Sequence, residues 1–437
     1  MISYGKAIIM TNFRYAVVVM AAAGVVAGCS SPTNIPAAQT SSAPSSAAVA
    51  SSTTGAAPAT PVAVTEAPVK DVPWSKVGPG WMLAEWSPVI PHQPGEQRDP
   101  DEPTHETVGT TLYLVDPAGA RYGITTFAPG AEMRLVDWSG DGSHALFTGS
   151  YASPTSAISV DLHTGEQTTI PIDGYPRYTR PNGNALLVST SYNGSQPGTL
   201  KRVDLQGNPQ FIYPTGDLAG AGQFGGDYAE SPDGTQLVLA TANLGNEVVS
   251  RSDNSLIMMS NDGKVIKTLP APMAKALCGP VKWWTPGSIL VHCTVERGSA
   301  NQLWEVPLDG GVPTPITAVN SGQEDDPGFG GDIGDGDAWK LPSGIFLQSV
   351  GACGTVFLSK LTADGHTTRV KIPGMADNVF VTGAATDKLL VRGQVGCSGS
   401  TSLVSYDPAV NTSTVLLGPP VNGGAVSHAM LYPSADS

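Results

Sequence analysis

Six carboxylates crowd into fourteen residues: Glu324, Asp325, Asp326, Asp332, Asp335 and Asp337 stand among five glycines. Hard cations such as Ca2+ collect oxygens of this kind, carboxylates supplemented by backbone carbonyls that a glycine-rich chain folds back to offer. The spacing matches neither the twelve-residue EF-hand loop nor the nonapeptide calcium repeat. The segment therefore reads either as a Ca2+ or cationic-ligand site or as a solvated acidic loop. Phe329-Gly-Gly-Asp332 echoes Phe224-Gly-Gly-Asp227, which adds Asp227 to the candidate set. The echo fits matching rim positions less well than a turn repeated by duplication. A second acidic stretch surrounds His92 and His105, with Glu96, Asp99, Asp101, Glu102 and Glu106 nearby. Gly220-Ala-Gly-Gln-Phe-Gly225 spells a dinucleotide loop, but no helix follows to receive a phosphate. The chain contains no His-Glu-x-x-His, no Gly-x-Ser-x-Gly and no phosphate loop. The residue types give no catalytic constellation.

The five cysteines divide into one and four. Cys29 ends the apolar run Ala16–Ala27, which follows Lys6 and Arg14, the only charges before Glu66. A basic start, a short apolar middle and small residues at the cut make a secretory signal over residues 1–28, too short to span a bilayer stably. Val26-Ala27-Gly28-Cys29 resembles the bacterial lipobox, and the resemblance implies diacylation of Cys29. Two acyl chains anchor stably where one does not. The expected location is the extracytoplasmic face of the cell membrane. Cys278, Cys293, Cys353 and Cys397 remain, an even number that in an exported protein reads as two disulfides with three possible pairings. Hairpin geometry favours Cys278–Cys293 within one repeat unit and Cys353–Cys397 between equivalent loops of adjacent units.

Removing Lys6 and Arg14 leaves 21 basic against 37 acidic side chains, a net charge of −16. So acidic a chain excludes nucleic acid and anionic headgroups as electrostatic partners. From Ser30 to about Val69 the chain is Ser, Ala, Thr and Pro with few bulky apolar residues, which cannot offset the entropy of ordering. Residues 29–72 are expected to be a flexible tether, and residues 73–434 the folded domain.

The domain must position its loops on β-strands. Short Val/Leu/Ile/Thr runs alternate with Gly, Pro, Asn and Asp, and no twelve-residue amphipathic helical period occurs. A strand–turn–strand unit recurs seven times. Aligned on Leu112, Ile158, Leu200, Leu256, Leu303, Phe357 and Leu403, its steps are 46, 42, 56, 47, 54 and 46 residues. That is the period of a four-stranded propeller blade. A second hairpin precedes each unit but the first, most clearly at 137–147 and 229–240. Ser231-Pro-Asp-Gly234, followed by the alternating strand Gln236–Leu239, resembles the WD40-like repeat of TolB-type propellers. The predicted fold is thus all-β, a seven-bladed β-propeller. The first blade lacks its innermost strand, and Ala425–Tyr432 is spare. Inserted there, the spare strand closes the ring and removes its open edge.

Long connections at 87–109, 215–227 and 319–337 are predicted to share one face. Trp138, Trp283, Trp284 and Trp339 fall in or beside first strands, where packing between blades accounts for them better than a sugar platform. The functional expectation is a non-enzymatic binding or scaffold lipoprotein whose partner is an envelope protein or glycan. The alternative is a propeller hydrolase or lyase acting on envelope polysaccharide or peptide.

Overall fold

The computed structural model describes residues 66–433 except 93–94, 150–153, 194–195, 243–253, 296–299, 320–331, 352–355, 376–377 and 396–398. Seven sheets make the fold, one per blade; six are antiparallel and built from four consecutive strands, and the first differs. In blade one the order is Ala425–Leu431, Met82–Ser87, Thr110–Val115 and Arg121–Phe127. The C-terminal strand is therefore the innermost of blade one and closes the ring. The innermost strands of blades two to seven are Arg134–Trp138, Tyr175–Tyr178, Gln223–Glu230, Ala276–Thr285, Asp332–Leu341 and Val379–Ala385. Among the described residues no helix is long and apolar enough to cross a membrane.

Each of the seven residues that align in the repeat faces an equivalent position on the strand before it. The pairs are Glu85↔Leu112, Phe147↔Ile158, Ser189↔Leu200, Ala240↔Leu256, His292↔Leu303, Ser349↔Phe357 and Arg392↔Leu403. Because both faces of a blade are covered by neighbours, successive residues bury into different seams. Leu112 and Leu114 pack toward blade two, while Tyr113 and Val115 pack toward blade seven. Leu186 and Val188 join the blade-two seam, and Leu187 joins blade four. The core is in this way seven clusters, one per seam. Strands buried on both faces read as continuous apolar runs rather than clean alternation, and Leu237–Ala242 is buried throughout.

The two clearest sequence hairpins turn with the same bonds. Ser231 Oγ donates to Asp233 at 2.6 Å, the Thr235 N–H to the same carboxylate at 3.0 Å, and the Gln236 N–H to Ser231 Oγ at 3.0 Å. Ser139, Asp141, Ser143 and His144 repeat this set at 2.6, 2.9 and 2.8 Å. Gly234 has φ +71°, a left-handed backbone that glycine adopts without strain.

Two features depart from the sequence reading. Residues 66–72 lie in the segment expected to be tether, yet Glu66–Pro68 adds a fifth strand to blade one, parallel to Arg121–Phe127. Arg121 holds Glu66 with Nε and Nη2 at 3.0 and 2.9 Å, and Tyr113 donates to it at 3.0 Å. Val72 then enters the seam between blades one and two. The blade-five hairpin also differs in register. A plain hairpin about Pro286-Gly287 would set Pro280 opposite Cys293. Two irregularities, at Pro280/Lys282 and Trp283/Thr285, each take up a residue and bring Cys278 directly opposite Cys293.

Candidate functional site

Cys29, Asp325, Asp326, Cys353 and Cys397 lie outside the described residues. Cys278 and Cys293 are joined by a disulfide, with both side chains buried. Asp332 opens the inner strand of blade six opposite Gly351, as Gln223 stands opposite Ala242 in blade four. Asp227 lies four residues past Gln223, so the Phe-Gly-Gly-Asp echo does not put Asp227 and Asp332 at matching positions. Asp335 is buried and accepts a hydrogen bond from Ser349 Oγ at 3.0 Å. Asp337 pairs with Lys282 Nζ at 2.8 Å and accepts the Ala338 N–H. Asp227 packs beside Gly279, where an added methyl would stand 3.5 Å from its Oδ2. Blades four and six thus each bring a carboxylate to blade five, Asp227 beside Gly279 and Asp337 onto Lys282. Among the described residues no three His, Cys, Asp or Glu side chains assemble as a metal site. His92 takes Glu102 at 2.5 Å and Glu96 at 3.6 Å within its own loop.

The inner ends of the seams carry a polar layer that sequence reasoning passed over. Opposite the aligned repeat residues stand Glu85, Ser189, His292, Ser349 and Arg392, polar in five blades of seven. Glu85 is fully buried, and its carboxylate accepts the Leu135 N–H of blade two at 2.6 Å, Ser427 Oγ at 3.0 Å and His428 Nδ1 at 2.6 Å. Arg392 of blade seven donates to the Ser427 carbonyl. Blades seven, one and two are thereby tied through one chain of hydrogen bonds at the point of ring closure. Burial holds the His428 imidazole below its ordinary pKa; Glu85 raises it, and Arg392 and Arg134 push it further down. Gln348 plays the corresponding part between blades six and seven, accepting the Val381 N–H at 2.6 Å. His292, buried beside Asn301, is held down to about 3 by desolvation and stays neutral. A glutamate inside Trp81–Trp86, an otherwise apolar strand, was the available signal for Glu85.

A second polar cluster fills the seams at the opposite, turn-bearing end of blades two to four. Asp137 accepts the Trp138 and Tyr178 N–H groups at 2.9 and 2.8 Å and Arg180 Nη2 at 3.0 Å. Glu230 accepts the Arg180 backbone N–H at 3.0 Å through Oε2. Its Oε1 is buried with no hydrogen-bond partner, as is Arg202 Nε. Desolvation raises Glu230 to about 7, against the opposing pull of Arg180 and Arg202. Trp138 is fully buried, edge-on to Tyr432 at 5.2 Å. Trp284 and Trp339 each carry an ammonium at 4.2 Å, from Lys340 and Lys282, across the blade-five/six seam. On the outer strands of that seam an open groove of about 640 Å³ is lined by Ile316, Ile345, Leu361 and Asp364.

No protein-family sequence profile matches the chain, and no curated protein matches it either. Solved structures do. A puromycin-hydrolyzing peptidase from Mycobacterium tuberculosis shares 13% identity at TM-score 0.46, covering 83% of this chain and 57% of its own. This chain therefore spans little more than half of that peptidase. TolB from Acinetobacter baumannii shares 13% identity at TM-score 0.40, with 81% and 67% covered. An oligogalacturonate lyase in complex with manganese shares 13% identity at 0.45, with 76% and 84% covered.

Proposed function

We propose that this chain is a lipid-anchored binding protein of the cell envelope, held by acylated Cys29 and displaying its propeller to an envelope protein or glycan. The observation that carries the reading is the pinned end of the tether. Glu66 pairs with Arg121 at the end of blade one where the Pro117–Ala120 turn lies. The anchor thus joins the turn-bearing side, which leaves the face of the long connections turned away from it. If the 36 residues between Cys29 and Glu66 form a flexible coil, they would reach roughly 35 Å. The alternative, an envelope hydrolase or lyase, has the Glu85–His428 pair in its favour, since a carboxylate orienting an imidazole is the arrangement of a general base.

The test is crosslinking in intact cells followed by recovery of the tethered protein. A discrete envelope partner is expected with the wild type, and Cys29→Ala is expected to release a folded protein that no longer recovers it. If Cys29→Ala still sediments wholly with membranes after a high-salt wash, the anchoring reading fails.

A further inference from the structure

Between the tether and the first strand of the ring, sixteen residues, 66–81, are held to blades one and two along their length. Glu66 stands opposite Arg121 on the outer edge of blade one, the edge farthest from the closing strand Ala425–Leu431. The holder is built in and the held residue is not. Arg121 is one-tenth exposed and lies 5.9 Å over the Tyr113 ring, whereas half of the Glu66 side chain is exposed. Val72 is buried in the seam between blades one and two, with Val69 and Val77 packed against the same cluster. Trp74 stacks on His163, in the blade-two turn, with ring centroids 3.9 Å apart. Trp81 is buried, stacks on Tyr122 at 6.0 Å, and its carbonyl accepts the Tyr432 N–H at 2.7 Å. Met82–Ser87, on which the ring closes, begins at the next residue.

A pull applied directly at Met82 would draw on the strand that pairs with the closing strand, and its ladder would open bond by bond. Entering at Glu66, the pull meets a different geometry. Glu66–Pro68 runs parallel to Arg121–Phe127 and starts at the turn-bearing end, so a pull from that side acts along the strand. The ladder and the Glu66 pair are then loaded together, at the edge of the sheet opposite to the closure. We propose that residues 66–81 are a strain-relief strap, which takes up a pull on the tether and detaches before the closing strand is loaded. The proposal rests on the anchored reading, which supplies the pull. Only Val72 and Trp81 of the sixteen are buried, and segments with so little burial open at a lower free energy than the core. Drawn out, sixteen residues extend to roughly 55 Å, and the closure feels the pull only when that slack is spent. The ring stays folded meanwhile, so the strap finds Arg121 and His163 in place when the pull ends.

The experiment is single-molecule pulling of the mature chain through thiol handles at Cys29 and at Gly216→Cys. Gly216 lies in the connection between blades three and four, where an added Cβ meets nothing within 4 Å. Two steps are expected. The first lengthens the chain by up to roughly 55 Å and reverses on relaxation, and the second opens the ring. Glu66→Gln removes the ion pair and Trp74→Ala removes the His163 stack. Each is expected to lower the force of the first step and to leave that of the second unchanged. A single step, or a first step that either variant leaves unchanged, overturns the proposal. The handles take the place of the lipid, so the result stands whether or not Cys29 is acylated, and the two readings fail separately.

Discussion

A buried carboxylate with one oxygen unpartnered weakens the fold whenever it is charged, and Glu230 is such a group. Its desolvation outweighs the attraction of Arg180, whose guanidinium is committed to Asp137. The folded pKa, about 7, exceeds the ordinary 4.5, so the folded state holds the proton more tightly than the unfolded chain. The cost is absent below the unfolded value and fully present above the folded one. Glu230→Gln keeps an acceptor for the Arg180 N–H and removes the charge. It is expected to raise stability at pH 8 by about 2–3 kcal/mol, because a tenfold difference in proton affinity is worth about 1.4 kcal/mol. Little change is expected at pH 5. Melting curves at the two pH values check this, and an equal effect at both would refute it. At this scale the sequence was only half legible. Asp137 and Glu230 stand in recognisable hairpins, but their partners come from neighbouring blades, about 40 to 50 residues away. His428 lies 343 residues from Glu85. No local pattern joins such pairs; only the closed ring does.

The elements themselves were more legible, because each blade repeats one local grammar of turn residues and apolar runs. The grammar has steric force where turns of adjacent blades nest. A Cβ on Gly140 would stand 1.6 Å from the Pro181 carbonyl oxygen, whereas one on Gly287 meets nothing within 4 Å. Gly140→Ala is expected to cost about 1–3 kcal/mol through forced backbone shifts, and Gly287→Ala to stay within about 0.5 kcal/mol. Denaturant midpoints of the two variants measure the contrast, and equal midpoints would show that the blade-two and blade-three turns do not nest this closely. What local grammar omits is equally specific. Glu66-Ala-Pro68 carries no alternation and no β-branched residue, and it lies at the end of a Ser/Ala/Thr/Pro tract. It becomes a strand because Arg121 and Tyr113 of blade one seize its carboxylate. The shifts about Cys278 were hidden for a different reason. A bulge adds a residue without changing the apolar pattern on either side.

At the scale of the whole ring, stability depends on one short strand that joins the two ends of the fold. Ala425–Leu431 pairs along the whole of Met82–Ser87. Val426 fills the seam between blades seven and one, while Met430 and Tyr432 pack into the seam between blades one and two. The strand also brings Ser427 and His428 to Glu85, so its removal leaves this carboxylate, fully buried in the closed ring, with only the Leu135 N–H. Buried charges that lose partners cost several kcal/mol. Cutting the chain after Gly424 also bares the ladder edge of Met82–Ser87, the kind of edge that pairs with another chain. Truncation is therefore expected to lower the melting temperature by roughly 10 °C or more and to make the domain associate as concentration rises. A synthetic peptide of residues 424–433, added in excess, is expected to restore both the melting temperature and the monomer, by binding only the folded ring. Calorimetry and sedimentation of the truncated chain, with and without peptide, measure the two effects together. A truncated monomer that melts with the full chain would mean that the ring is held without its closing strand.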